Sequence, residues 1–170
     1  MEQRLSRAPL SLKVLITCFL GLIGIGYVFG LINIFNNTGF SYTGLVVHYR
    51  GGEDPLPPEF AFAKLIHEHH VHLFGLSMLF FLIGWIFTLT SLPEFIKAVL
   101  IATPFAAMLL DFTSFWFLAF AGPLFAWGSI VFGGFMAFAF FLLIGRPLYE
   151  IWVMPLWEKK WGDQIPWFLG

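Results

Sequence analysis

The sequence predicts an all-α membrane protein, a bundle of four transmembrane helices with both termini on the cytoplasmic side. Three observations predict it. The 170 residues are 59% hydrophobic, 20% aromatic and only 11% charged, with a mean hydropathy of +0.84; a soluble domain is roughly a quarter charged. Four apolar stretches meet or exceed the roughly 20 residues that cross a bilayer as a helix. The cations flanking those stretches fall mostly on one side, as the cytoplasmic bias of Lys and Arg requires.

The first span is read over 14–35, VLITCFLGLIGIGYVFGLINIF. It is longer than a secretory signal and lacks a cleavage pattern. Gly26 and Gly30 form a GxxxG pair, which permits close helix approach in lipid. Packing within the bundle is its expected use, and Gly133 and Gly134 of the fourth span read the same way. Asn36, Asn37 and Gly39 close the span, and an outer loop follows over 36–61. Gly51, Gly52, Pro55, Pro57 and Pro58 break the chain before the second span, 62–90. Ser91, Leu92 and Pro93 separate it from the third, 96–120. Gly122 and Pro123 make a tight turn into the fourth, 124–145. The tail, 146–170, carries Trp152, Trp157, Trp161 and Trp167. It reads as an amphipathic segment in the inner interface or packed on a partner subunit. Residues 1–170 thus form a single membrane domain.

Arg4, Arg7, Lys13, Lys97, Arg146, Lys159 and Lys160, seven of the nine cations, lie on one side. Arg50 and Lys64 lie on the other, beside Glu53, Asp54 and Glu59. This sets the termini inside and the long loop outside. A net charge of −1 and the absence of any basic run point away from nucleic acid. Cys18 is the single cysteine, so the chain has no internal disulfide and no CxxCH haem attachment. No GxSxG turn or Ser-His-Asp arrangement suggests nucleophilic catalysis, and no pair of broken helices suggests a transporter.

The chemistry collects at IHEHHVHLFG, residues 66–75, which hold four of the five histidines. At 1.5 Å per residue, His67 to His72 fall about 5–15 Å inside the outer boundary. Asp111, in MLLDFTSFW, is the only acid deep within a span. It falls about 13 Å down from the outer end of the third span, level with His72. A carboxylate near imidazole fixes a tautomer, supports a ligand or takes a proton, so Asp111 is expected to pair with the histidines. The alternative is a protonated or capping aspartate without chemistry. His69 and His72 share a helix face, and His67 and His70 share another. His70 and His72 are about 200° apart around the helix, so the four cannot all hold one ion.

Three chemistries suit such a cluster. Haem b takes neutral imidazole as an axial ligand, with His70, His72 or His69 as candidates and Trp116 beside them. The second ligand is open: His48 of the outer loop, Met108, Met136 or a group across a subunit boundary. A copper or zinc ion suits His69 and His72 with His48 or a carboxylate, His70 being a further candidate ligand, although the chain has little sulfur to support soft-metal handling. A quinol site would use His72 and Asp111 as proton acceptors, against a wall of Phe74, Phe112, Phe115 and Trp116. Each histidine also has a plain reading as a buried structural residue, and the wall a plain reading as packing.

HHVHLFGLSMLFFLIGWIF, LPEFIKAVLIATPFAAMLLDFTSFW and GGFMAFAFFLLIGRPLYEIW together resemble a group of small four-span bacterial inner-membrane proteins with an HxHLxG motif. The likeness runs from LSLKVLITCFLG to Ile151 and Trp152. It carries His70, His72, Gly75, Asp111, Trp116, Tyr149 and Glu150 as motif positions. Some members hold a c-type haem domain in the first outer loop, which implies electron transfer near HxH. This chain departs there: its loop is short, and it adds His67 and His69. The sequence therefore reads as a redox or quinol-interacting subunit of a larger respiratory-type complex, exchanging electrons near the outer face with quinol, a periplasmic cytochrome or adjoining membrane subunits. The competing reading is a non-catalytic scaffold subunit with a structural metal at the histidines.

Overall fold

A computed structural model describes residues 5–52 and 54–161, the side chains of 158–161 aside. Arg4, Glu53 and Trp167 lie outside the described residues, as do the side chains of Lys159, Lys160 and Trp161. The elements are α1 (Leu10–Thr38), α2 (Tyr42–Arg50), α3 (Pro58–Thr88), α4 (Glu94–Phe120), α5 (Ala126–Leu148), a π turn (Tyr149–Val153) and α6 (Met154–Trp161). Four helical stretches are long and apolar enough to cross a membrane: Leu10–Thr38, Pro58–Thr88, Glu94–Phe120 and Pro123–Trp157. They alternate in direction. Each expected span corresponds to one of them; most ends run a few residues further because interfacial turns continue a helix that hydropathy alone truncates, while the second ends at Thr88 instead of 90 and the fourth continues to Trp157 instead of 145. α2, inside the expected outer loop, is a helix that hydropathy did not mark.

The core is built from Phe80, Ile83 and Phe87 of α3, Met108 of α4, Phe140 and Leu143 of α5, and Ile16 and Leu20 of α1. Tyr27 of α1 stacks on Phe140 at 3.8 Å between ring centroids. The outward faces are just as apolar, with Leu22, Phe29, Phe81, Trp85 and Phe138 exposed. That is the pattern of a bundle solvated by lipid, where close packing replaces the hydrophobic effect as the force between helices. Gly26 and Gly30 lie on the open face of α1 with no atom within 4 Å of a built Cβ. The expectation that this GxxxG pair packs inside the bundle is corrected: the inward stripe of α1 runs through Ile16 and Leu20. Gly133 does face a neighbouring helix, and Gly134 does not.

At one end α2 folds over the bundle. Gly39 takes a left-handed conformation, φ 60°, and its N–H reaches Phe35 O. The Ser41 hydroxyl accepts from Gly44 N–H at 3.0 Å and donates to Thr38 O at 2.9 Å, an N-cap that starts α2. Any Cβ on Gly44 would collide with the Thr38 carbonyl. α2 buries Leu45 against Leu118 and Ala126. Arg50 donates to Leu118 O and Ala119 O at 2.8 and 3.1 Å, satisfying two terminal carbonyls of α4 with positive charge.

The opposite end is held by a buried carboxylate. Glu150 is fully buried. It accepts from Ser91 N–H at 3.0 Å, from the Ser91 hydroxyl at 2.9 Å and from Arg146 Nε at 2.8 Å. Arg146 Nη2 also donates to Ser91 Oγ at 3.1 Å. The α3–α4 turn is thereby tied to the end of α5. Lys97 pairs with Glu94 and donates to Thr88 O at 3.0 Å. Trp152 Nε1 donates to Thr17 Oγ1 at 2.9 Å, and Ile151 and Met154 are buried. The described part of the tail thus continues α5 through the π turn and packs on the bundle.

Candidate functional site

The polar residues of α2 and the first turns of α3 form one network. Lys64 Nζ lies 2.8 Å from His48 Nε2 and donates to His48 O at 3.0 Å. An ammonium only donates, so His48 Nε2 accepts and its proton sits on Nδ1. Tyr49 donates to Glu68 Oε2 at 3.1 Å, and its ring packs on Phe115 at 4.6 Å. Burial, with the Lys64 ammonium adding to it, holds His48 below the usual imidazole range, and Glu68 opposes them. Burial and then the Glu68 carboxylate push the Tyr49 phenol above its usual range.

The histidines of α3 divide into one inward and three outward. His69 is half-buried against Phe112, with ring centroids 4.4 Å apart, and near Phe115 and Trp116, both at 6.0 Å. Its buried Nδ1 has no hydrogen-bond partner. His67, His70 and His72 are exposed, and the rings of His67 and His70 lie 5.8 Å apart. His70 Nδ1 is 3.1 Å from Ile66 O, and His72 Nδ1 is 2.7 Å from Glu68 O. Phe112, Phe115 and Trp116 do form an aromatic wall, with Phe62 edge-on to Trp116. Phe74, expected in that wall, is 76% exposed and stands outside it.

The structure does not assemble the metal set His48, His69, His70 and His72. Among the described residues no three His, Cys, Asp or Glu side chains are grouped to hold a metal ion. The physical reason is spacing: one straight helix turns its histidines to different sides, while His48 is occupied by Lys64. Met108 is in the apolar core and Met136 packs against it, so neither is placed as an axial ligand to this cluster.

The pairing of Asp111 with histidine is likewise not formed. Asp111 is 6% exposed and faces α5, where both carboxylate oxygens lie 3.9 Å from a Cβ built on Gly133. Ser129, one turn earlier on α5, is its polar neighbour. His69 packs instead on Phe112, Phe115 and Trp116, about a quarter-turn around α4.

Sequence reasoning missed Tyr49, Ser129 and the bracing role of Lys64. The i,i+4 spacing of Lys64 and Glu68 was a signal for a charged helix face toward α2. A serine between Gly128 and Gly133 was a weaker signal for a small-residue helix contact.

All of these residues except Tyr27 and those of the rest of α1 fall inside a recognisable family region. A family model described as a transmembrane helical domain, Aq_1264_TM, matches residues 39–158. The chain belongs to that family, and with four candidate spans it is a multi-pass membrane protein in a lipid bilayer. No curated protein and no solved structure matches it.

Proposed function

We propose that the chain is a redox subunit of a larger respiratory-type complex in the bacterial inner membrane, meeting haem b or a quinol at the outward face of α3. The observation that carries this is the state of His70 and His72. A carbonyl oxygen only accepts, so each Nδ1 bonded to Ile66 O or Glu68 O carries the proton. Each neutral ring then keeps a lone pair on Nε2, on an exposed face. That is the form in which imidazole ligates iron or accepts a quinol proton, and the main-chain bond fixes its tautomer. Lipid satisfies no imidazole nitrogen, so the reading has this face covered by a neighbouring subunit or the group it carries. Haem would supply one-electron transfer; His70 or His72 would hold it, with its second ligand from the partner. A copper or zinc ion would equally need donors from outside the chain.

The HxHLxG positions His70, His72 and Gly75 support this reading, as does the resemblance to proteins with a c-type haem insertion. The cation bias, seven of nine toward the termini, supports a periplasmic placement of the α2 end and a periplasmic cytochrome as electron partner. One observation favours the scaffold alternative. An apolar groove between α1 and α5, lined by Leu20, Gly21, Gly24, Val28, Phe29 and Phe141, suits a partner helix.

The test is a reduced-minus-oxidised visible spectrum of the complex purified in mild detergent, with haem and quinone extracted from the same sample. The expected result is a b-type band or bound quinone that His70→Ala or His72→Ala removes. Wild-type protein with neither, or both variants unchanged, would overturn the redox reading and leave the scaffold.

A further inference from the structure

We infer that Asp111 and Ser129 form a proton-binding site buried between α4 and α5, separate from the histidine face of α3. The argument rests on partners and does not depend on haem or quinol. Asp111 and Ser129 are 6% and 5% exposed. Asp111 Oδ1 and Ser129 Oγ are both buried, and neither has a hydrogen-bond partner. The carboxyl group lies against Gly133, where a side chain would have filled the contact. Two polar groups with unsatisfied atoms thus meet across a helix pair that is otherwise packed.

The chain supplies its own comparison. Glu150 is also buried, yet it accepts from a main-chain N–H, a hydroxyl and a guanidinium. That environment supports an ionised carboxylate. Among the described residues Asp111 has neither a main-chain N–H nor a guanidinium as donor, and the Ser129 hydroxyl is its polar neighbour. Among the described residues the Lys and Arg ion pairs are Lys97–Glu94 and Arg146–Glu150, so neither pair neutralises it. Asp111 is in electrostatic range of Tyr27 of α1 and Tyr49 of α2. Glu68 of α3 is bonded to Tyr49, and His69 of α3 packs on the aromatic face of α4. α5 contributes Ser129 and the bare backbone of Gly133. Among the described residues no cation acts on the carboxyl.

A buried carboxylate with no cation and only the Ser129 hydroxyl beside it is too costly at such a position, and the group neutralises by taking a proton. Protonation also resolves the orphaned atoms. A carboxylic acid has one O–H to give and a carbonyl oxygen to receive, so it and the Ser129 hydroxyl can satisfy each other in either sense. A dehydrated alkali cation would need more oxygen ligands than these two side chains provide.

The experiment is infrared spectroscopy of the protein in lipid vesicles, in H₂O and D₂O, as pH is raised from mildly acidic to alkaline. Asp111→Asn, nearly equal in size, serves as the reference. The expected result is a protonated-carboxyl C=O band near neutral pH that is absent in Asp111→Asn, shifts in D₂O and disappears at alkaline pH. Dicyclohexylcarbodiimide, which adds whole to a protonated carboxyl and leaves an N-acylurea, is expected to label Asp111 and not Glu150 in peptide maps of the wild type. This second measurement stands if Asp111→Asn does not fold. An Asp111 that is ionised throughout, with a signal that depends on sodium, would overturn the inference in favour of a cation site. A band that neither exchanges nor titrates would overturn it in favour of a fixed structural acid.

Discussion

Glu150→Ala provides the sharpest stability test, because the structure states what each partner loses. Glu150 is fully buried and Arg146 has 14% side-chain exposure. Removing one member of a buried ion pair costs about 3–5 kcal/mol, since the other charge loses its partner without regaining water. The Ser91 N–H and hydroxyl lose an acceptor as well, a penalty of about 1–3 kcal/mol each in isolation. These terms share one site and do not add, so the expected loss is about 3–5 kcal/mol. Glu150→Gln keeps an acceptor but not the charge, and should lose about 1.5–3 kcal/mol. Equilibrium unfolding in mixed detergent–SDS micelles reads these values. A double variant, Arg146→Leu with Glu150→Leu, should be less destabilised than Glu150→Ala, because it removes both charges at once. A loss below about 1 kcal/mol in Glu150→Ala, or a double variant equal to the sum of its singles, would refute the reasoning.

Three further outcomes follow from local geometry. Gly44→Ala should cost about 1–3 kcal/mol, because its Cβ meets the Thr38 carbonyl. Gly26→Ala, in open space, should be neutral or gain up to about 1 kcal/mol of helix propensity; the same unfolding assay compares the two. His48 is held below its usual range by burial and then by Lys64, so the unfolded chain binds that proton first as pH falls. α2 docking should therefore weaken as pH drops below about 6.5. Hydrogen exchange of α2 amides reads this, and His48→Gln should flatten the dependence. Trp152→Phe removes the donor to Thr17 Oγ1 and should cost about 0.5–1.5 kcal/mol, read by the same unfolding assay.

The four spans were legible because hydropathy over 20 or more residues is a sum of many weak signals that agree. Their turns were legible because Pro93, Gly122 and Pro123 act locally. α2 was not legible: its nine residues, YTGLVVHYR, are too short and too mixed to declare a helix. It exists because Ser41 caps it, Gly44 lets it approach Thr38 and Arg50 anchors it to the end of α4. The anchor depends on carbonyls 68 and 69 residues away, and the cap and the close approach depend on turn geometry that hydropathy does not register. The use of Gly26 and Gly30 failed for a related reason. A small-residue motif says that close approach is permitted, and tertiary packing decides whether anything approaches.

The polar residues show the same limit more sharply. Sequence marks Asp111 by its depth within a span and leaves Glu150 in the tail, where only the family resemblance singles it out; the structure buries both. Partners separate them. Ser91, which completes the Glu150 site, is 59 residues away, and Ser129 is 18 residues from Asp111. Depth along a helix can be read from sequence at 1.5 Å per residue, which gives Asp111 and His72 similar expected levels. Direction around the axis accumulates 100° per residue, and the relative rotation of two helices depends on their contact. In this chain α4 turns Phe112, Phe115 and Trp116 toward His69 and Asp111 toward α5. The helix that makes the two sites look adjacent in depth is the one that separates them. A perturbation of Asp111 should therefore leave the outward rings of His70 and His72, and whatever they bind, unchanged. Loss of the His70 or His72 spectral signature in Asp111→Asn, with the fold intact, would show that the separation is wrong.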